Sequence, residues 1–295
     1  MEERQLLADS FERHRTRLRS VAYRMLGSLS EADDAVQEAW LRVSRADVSS
    51  VENLGSWLTT VVARVCLNML QSRKSRREEP LDTHVPDPIV SRVDGADPEQ
   101  EALLADSVGL ALLVVLETLR PAERLAFVLH DVFALSFEEI GAVVDRSPVA
   151  ARQLASRARR RVRGATVADL DLERQREVVN AFLAASRAGD FDALLAVLDP
   201  NVVRRADGGT LLARASGIIR GANAVARSAL AVSRLEGVSV QMALVNGAPG
   251  IVAWDAAGEP FSVLAFTIAG GRIVEIDILL DPERLRRLGL DALKD

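Results

Sequence analysis

Residues 135–163 read LSFEEIGAVVDRSPVAARQLASRARRRVR, and this stretch predicts two short helices joined by a tight turn. The apolar residues expected to face inward from the first helix are Ile140, Val143 and Val144. Asp145 and Arg146 form the predicted turn. Ser147 is a favourable N-cap for the second helix, and Pro148 stands at its first position, where proline is tolerated. The pattern indicates a helix-turn-helix, the motif that places a helix in the DNA major groove.

The second helix of this motif is rich in arginine and has no acidic residue. We expect Val149, Leu154 and Ala158 to pack inward. The side chains expected to face a major groove are Ala151, Arg152, Gln153, Ser156 and Arg157. Arginine can bind guanine, and glutamine adenine, through paired hydrogen bonds. The remaining basic residues available for phosphate are Arg159, Arg160, Arg161 and Arg163. A solvated basic helix is the alternative for this stretch taken alone.

The chain has 295 residues, of which 48% are hydrophobic and 27% charged, with a net charge of −5. This length accommodates about two domains, and the composition is that of a folded soluble protein. No apolar run approaches the ~18 residues that a membrane span requires. The N-terminal MEERQLLADS lacks the basic start and apolar core of a signal peptide, so we expect a cytosolic protein without membrane partners. The net acidity means that any nucleic-acid binding uses local basic patches.

Cysteine and histidine are scarce in the chain. Cys66 is the only cysteine, which excludes an internal disulfide and a cysteine-based metal site. The three histidines are widely spaced and do not follow a metal-binding pattern. We therefore expect neither a metal nor a cofactor.

The hydrophobic pattern divides the chain into four parts. Residues 1–77 have helical spacing, with Ser30 as the expected N-cap of an acidic second helix and a third helix beginning near Asn53. Residues 78–100 hold four prolines and several acids, which predicts a linker. Helical spacing resumes over 101–165. Residues 166–295 predict two helices, then β-branched segments joined by glycine-rich turns, which indicates an α+β domain with an antiparallel meander.

Three stretches resemble the two conserved helical domains of an extracytoplasmic-function sigma factor of the sigma-70 class. They read AYRMLGSLSEADDAVQEAWLRV, NLGSWLTTVVARVCLNMLQSRKSRR and LRPAERLAFVLHDVFALSFEEIGAVVDRSPVAARQLASRARRRVR. The final part resembles the SnoaL-like extension of the SigJ-like group. The resemblance implies two all-α domains, the second with the helix-turn-helix, followed by a cone-shaped α+β barrel.

The resemblance also implies roles for the first domain. The acidic second helix would dock on core RNA polymerase, through Asp33, Asp34, Gln37, Glu38 and Trp40. An ordinary amphipathic helix is the alternative explanation of this pattern. The loop from Asp47 to Ser56 would hold a flipped base of the minus-ten promoter element. The residues that would bind this element as single-stranded DNA are Arg64, Asn68, Arg73, Lys74, Arg76 and Arg77.

By the same resemblance, the second domain would bind the minus-thirty-five element as duplex DNA. Its expected DNA-binding residues are Ser147, Ala151, Arg152, Gln153, Ser156, Arg157 and Arg160. In this family the linker and the extension regulate sigma activity, and the extension can act in place of a separate anti-sigma factor. The residues matching those regulatory motifs, with departures, are Pro86, Asp87, Pro88, Asp207, Gly208 and Gly209. A simple Gly-Gly turn explains the last three equally well.

Two other functions stay open at this point. The first is a polymerase-independent helix-turn-helix regulator whose barrel senses a small ligand, with Trp254, Phe261 and Phe266 as candidate pocket walls. The second is an enzyme, for which the final domain offers only carboxylates, since it lacks histidine, tyrosine and cysteine after Leu172. We therefore expect no enzymatic activity.

Overall fold

The computed structural model describes residues 2–46, 48, 51, 53–75, 83–93, 109–163, 169 and 171–293. The described residues form two compact units. The first comprises residues 2–75 and 115–163, and the second comprises 83–93, 109–114 and 169–293. The predicted domain boundaries near residues 77, 100 and 165 lie outside the described residues.

The first part of the helical unit contains α1 (Glu2–Leu26), α2 (Leu29–Val43) and α3 (Leu54–Ser75). These helices pack on one another through buried apolar faces. The N-cap of α2 is Ser28, whose hydroxyl accepts a bond from the Glu31 N–H, so the prediction of Ser30 is wrong. Serine is a favoured N-cap residue at either position, but the helix begins directly after the earlier serine.

The second part of the helical unit carries the predicted motif. α4 (Leu110–Glu117), whose residues 115–117 belong to this unit, and α5 (Pro121–Phe127) are followed by a π-helical turn, Val128–Val132. Then come α6 (Phe137–Val144) and α7 (Pro148–Val162), and α7 packs against both α5 and α6. The helix expected from residue 101 is described only from Leu110 onward. The predicted helix-turn-helix is present in α6 and α7.

The second unit is an α+β domain. Its helices are α8 (Leu172–Ala188), α9 (Phe191–Val197), α10 (Ala222–Ser233) and α11 (Pro282–Arg287), with short 3-10 turns at Ala213–Ala215 and Leu290–Leu293. Its strands are β1 (Val90–Ser91), β2 (Leu198–Asp207), β3 (Gly217–Arg220), β4 (Ser239–Val245), β5 (Ala248–Trp254), β6 (Pro260–Ala269) and β7 (Arg272–Leu279). They form one sheet in the order β1-β4-β5-β6-β7-β2-β3.

The strands β4 to β7 form the predicted antiparallel meander, whereas β2 runs parallel to β7. One face of the sheet packs on α8, α9 and α10 around Phe182, Leu194 and Ile276. The strand β1 comes from the predicted linker and pairs with the edge of β4, Val90 opposite Val245. The proline-rich segment is therefore part of the C-terminal sheet where it is described.

Candidate functional sites

The helix-turn-helix begins with a capping box. The Ser136 hydroxyl accepts from the Glu139 N–H at 3.2 Å, and the Glu139 carboxylate accepts from the Ser136 N–H at 2.8 Å. At the far end of α6, Asp145 adopts the left-handed conformation (φ 54°) that makes the tight turn. Gly141 permits this turn, because a Cβ at this position would lie 2.7 Å from the Arg146 carbonyl oxygen. Local sequence therefore fixes the angle between α6 and α7.

The recognition helix α7 starts at the predicted cap. The Ser147 hydroxyl accepts from the Ala150 N–H at 3.2 Å, and Pro148 follows at the first helical position. The fully buried side chains of α7 are Ala151, Ala155 and Ala158. The expectation that Ala151 faces a groove is wrong, as is the expectation that Val149 packs inward, since Val149 is 64% exposed. The inward face is a row of small residues, which allows close helix packing.

The outward face of α7 presents the other expected DNA-binding side chains, which are Arg152, Gln153, Ser156, Arg157 and Arg160. The Arg152 guanidinium lies over the Phe137 ring, 5.2 Å from its centroid. Two further arginines brace the fold, because Arg159 pairs with Asp131 at 2.6 Å and Arg161 with Glu123 at 3.1 Å. The outward face of α7 thus presents exposed polar and cationic side chains, while the two ion pairs attach α7 to the rest of its domain.

The acidic helix α2 presents the side chains expected to meet polymerase. Asp34 and Gln37 are exposed. Asp33 bonds with Arg19 at 2.6 Å and 3.2 Å, and Glu38 pairs with Arg42 at 2.8 Å. Trp40 is half-buried, with its ring centroid 5.0 Å from that of Phe11. The helix therefore buries one face and leaves an acidic and amide edge open to a partner.

The helix α3 carries the residues expected to read the minus-ten element. Arg64 and Asn68 are exposed on α3. Arg73 is half-buried, bonds the Leu26 carbonyl at 3.2 Å and pairs with Glu31, so it holds the helices together in this conformation. The predicted phosphate contacts of Arg76 and Arg77, and the Lys74 side chain, lie outside the described residues.

Two α3 side chains, Arg64 and Ser56, make polar contacts with the helix-turn-helix that sequence reasoning missed. Arg64 donates to the Ala142 carbonyl oxygen at 2.6 Å and lies 3.5 Å from the Asp145 carboxylate. The Ser56 hydroxyl donates to the Glu139 carboxylate, which holds the pKa of that carboxyl below its usual range together with the bonds from Ser136. Contacts between residues about eighty positions apart leave no local signal in a sequence.

A cleft of about 640 Å³ lies beside these contacts. Its α3 wall includes Trp57, Thr60 and Val61, and its α6 wall includes Ala142 and Val143. The cleft is open to solvent and combines apolar walls with polar groups. Its lining also includes Asn53 and Ser56, which belong to the end of the loop expected to hold a flipped base.

The predicted regulatory residues form a buried polar cluster in the second unit. Asp207, at the end of β2, is 7% exposed. Its Oδ2 accepts from the Val85 N–H at 3.0 Å and from Arg284 at 2.7 Å, and lies 3.1 Å from His84 Nδ1. Burial alone raises the pKa of Asp207, but these bonds and the Arg284 charge lower it well below its usual range. Asp207 is therefore a fixed anion.

Arg284 joins Asp207 to the proline-rich segment. It donates to the Asp87 carboxylate at 2.6 Å and to the Val85 carbonyl oxygen. Although burial lowers the pKa of Arg284, the charges of Asp87 and Asp207 raise it above its usual value. Pro86, Asp87 and Pro88 are buried in this arrangement. Sequence reasoning found the two carboxylates and singled out the segment 281–285 that contains Arg284, but it did not predict that this arginine bonds both carboxylates.

Two glycines and Asn246 complete the contacts that hold this segment. Gly209 has φ 58° and donates to Asp207 Oδ1 at 3.0 Å, while a Cβ there would overlap the Asp281 carboxylate. A Cβ on Gly208 would overlap the Leu212 carbonyl oxygen. Asn246 accepts from the Ile89 N–H at 3.1 Å, and its own N–H donates to the Ile89 carbonyl oxygen at 2.8 Å. The segment is thus held at both ends.

One of the candidate pocket walls, Phe266, and one of the carboxylates, Asp277, are buried in the second unit. Phe266 packs edge-on against Phe182 in the core. Asp277 is 2% exposed and bonded to Arg205, and burial raises its pKa to about 6. Among the described residues, no three potential metal ligands form a cluster. No helix in the described part of the chain has the length and apolarity to cross a membrane.

Comparisons with known proteins agree with this geometry. Residues 10–76 match the Sigma-70 region 2 family, and residues 109–162 match Sigma-70, region 4. The chain is 37% identical to the ECF RNA polymerase sigma factor SigJ of Mycobacterium tuberculosis strain H37Rv over 93% of this chain and 91% of that protein. It is also 37% identical to the probable ECF RNA polymerase sigma factor SigI of M. tuberculosis strain CDC 1551, over 92% of each chain.

A solved structure shows the same architecture. The crystal structure of M. tuberculosis SigJ superimposes with a TM-score of 0.73 at 34% sequence identity, covering 95% of this chain and 98% of that one. The match spans the helical and the α+β parts, which confirms the predicted multidomain fold class. The chain belongs to the extracytoplasmic-function sigma factors of RNA polymerase, in the SigJ group.

Proposed function

We propose that this sigma factor docks on core RNA polymerase through the exposed edge of α2 and reads promoter DNA with two elements. Exposed α3 residues bind the minus-ten element as single strand, and the outward face of α7 binds the minus-thirty-five element as duplex. The observation that carries this proposal is the conjunction, within one helical unit, of an acidic exposed helix and a capped helix-turn-helix with an exposed basic face.

Each reading element is small, which suits a factor that works on polymerase. The outward face of α7 offers few base-reading side chains, and the chain carries a net charge of −5. Tethering two weak modules to one polymerase multiplies their effect through effective concentration. The function therefore needs no strong autonomous DNA binding, and the proposed location is the cytoplasm, with the polymerase.

We also propose that the C-terminal domain regulates the factor in cis through the segment 83–93. Asp207 and Arg284 hold this segment by charge-assisted bonds, and β1 extends the sheet. The segment lies in the chain between the two DNA-reading elements, so holding or releasing it changes the fraction of molecules competent for initiation. In this proposal the domain acts in place of a separate anti-sigma factor and has no catalytic role.

Polymerase binding is tested with a charge reversal on α2. Asp34→Arg places a cation at the exposed edge, and we expect the affinity for immobilised core RNA polymerase to fall by about tenfold or more. The matched control is Glu12→Arg, which reverses an exposed carboxylate on α1 outside the proposed surface. Equal affinities for both variants and the unmodified chain contradict docking through α2.

The regulatory role is tested by point substitution rather than truncation, because removing the whole domain also removes the sheet on which the segment 83–93 lies. In transcription with core polymerase, Asp207→Asn is expected to change the yield of promoter-specific transcript. Asp255→Asn, in an exposed turn of the same domain, is expected to leave the yield unchanged. Identical yields from both variants contradict regulation through this cluster.

A further inference from the structure

The helix-turn-helix touches α3 at the side chains that the proposed function assigns to single-stranded DNA. Arg64, expected to read the minus-ten element, instead bonds the Ala142 carbonyl oxygen at 2.6 Å and faces Asp145. Ser56, at the end of the loop expected to hold a flipped base, donates to Glu139. The acceptors on α6 are a carbonyl oxygen and two carboxylates, the same kinds of group that a DNA base and phosphate present.

We propose that Glu139 and Asp145 form an internal lock, in which α6 occupies the groups of α3 that hold single-stranded DNA. The lock rests on the proposed function of α3. The cleft beside it is lined by Trp57, Thr60 and Val61 on one wall and by Ala142 and Val143 on the other. A base in that cleft can bond Arg64 and Ser56 only after these side chains have been released from α6.

The two locking residues have distinct geometry. Glu139 uses one carboxylate oxygen for Ser56 and the other for the Ser136 N–H at 2.8 Å, so it joins the cap of α6 to α3. Asp145 stands in the left-handed turn, where its carboxylate is 89% exposed and 3.5 Å from Arg64. Since Asp145 is solvent-screened, its contact is the weaker of the two. A lock of this strength can be opened by polymerase or DNA.

The sharpest variant removes both charges and preserves local structure. Glu139→Gln keeps the capping box, since glutamine fills that position as well as glutamate. Asp145→Asn keeps the left-handed turn, which asparagine readily adopts. The matched control is Glu138→Gln with Asp9→Asn, which changes the net charge equally at exposed sites on α6 and α1. Any gain in DNA affinity from lower net negative charge alone then appears in both proteins.

The test measures two quantities on full-length protein. The first is the affinity for a fluorescent single-stranded oligonucleotide carrying the minus-ten element, taken from a promoter that the factor transcribes. The second is energy transfer between dyes on Gln71→Cys in α3 and Val149→Cys in α7, both exposed positions. Burial raises the pKa of the native Cys66 thiol to about 12, so that side chain does not compete for the dyes.

The lock predicts that Glu139→Gln/Asp145→Asn binds the oligonucleotide about three- to tenfold more tightly than the control pair and shows lower energy transfer. Equal affinity and equal energy transfer in the two proteins overturn the lock. The variant could also show lower energy transfer while neither it nor its complex with polymerase binds the oligonucleotide. This result overturns the proposal that α6 occupies a DNA-binding site, and it also contradicts the assignment of α3 to single-stranded DNA. Equal affinity and equal energy transfer leave that assignment unaffected.

Discussion

Replacing Asp207 with asparagine tests how the segment 83–93 is held on the C-terminal sheet. Asp207 Oδ2 accepts from the Val85 N–H at 3.0 Å and from Arg284 at 2.7 Å, while Oδ1 accepts from the Gly209 N–H at 3.0 Å. An asparagine has one oxygen and one NH₂ group. Whichever way the amide is turned, its NH₂ faces an N–H donor, so at least one bond is lost and a donor is left opposed.

The cost follows from burial and charge. Removing one partner of a buried ion pair costs about 3–5 kcal/mol. Asp87 still bonds Arg284 at 2.6 Å and compensates part of its buried charge. We therefore expect the cost of Asp207→Asn to lie near the lower end of this range, at about 3 kcal/mol. This corresponds to roughly a hundredfold change in the equilibrium between the held and released segment.

The assay is amide hydrogen exchange of residues 83–93. The Val85 and Ile89 N–H groups bond Asp207 and Asn246, and their exchange reports release of the segment. We expect Asp207→Asn to accelerate it by about two orders of magnitude. The control is Asp255→Asn, because a single Asp255 oxygen accepts both of its N–H bonds and the amide oxygen keeps them. Unchanged exchange in Asp207→Asn shows that the Asp207 carboxylate does not hold the segment 83–93.

Three further predictions concern the rest of the chain. Gly141→Ala places a Cβ 2.7 Å from a turn carbonyl oxygen and is expected to destabilise the helical unit by about 1–3 kcal/mol in urea unfolding; an unchanged free energy of unfolding contradicts this. Arg157→Ala is expected to weaken minus-thirty-five duplex binding by the polymerase complex and to reduce its salt slope by about 1; an unchanged slope removes Arg157 from the interface. Burial raises the pKa of Asp277 to about 6, above the unfolded value, so the folded domain takes up a proton and gains stability as the pH falls from 7 toward 5. Calorimetry at both pH values is expected to show a smaller pH dependence in Asp277→Asn, and equal dependence contradicts it.

The helix-turn-helix could be predicted because its signals are local. The caps Ser136 and Ser147 and the short turn between the helices lie within a few residues of the groups they satisfy. Which side of α7 packs inward could not be predicted as reliably from the sequence. Small and apolar residues occur on two adjoining sides of that helix, and only packing against α5 and α6 selects the row containing Ala151.

The strands β2 and β3 were missed for a different reason. Pro200, Arg204 and Arg205 interrupt the apolar alternation of β2, and its pairing with β7 joins residues about seventy positions apart. The resemblance indicated that Asp87 and Asp207 belong to regulatory motifs, yet the bond of each to Arg284 depends on the folded sheet. The spacing of residues along the sequence does not indicate such contacts.

Run-off transcription tests whether the chain directs promoter-specific initiation by core RNA polymerase. Core RNA polymerase, the full chain and a pool of genomic promoters are combined, with core polymerase alone as the control. We expect specific transcripts that depend on the chain and arise from promoters that share minus-ten and minus-thirty-five elements. Absence of both polymerase binding and transcripts, together with tight autonomous binding to duplex DNA, contradicts this expectation and favours a polymerase-independent regulator.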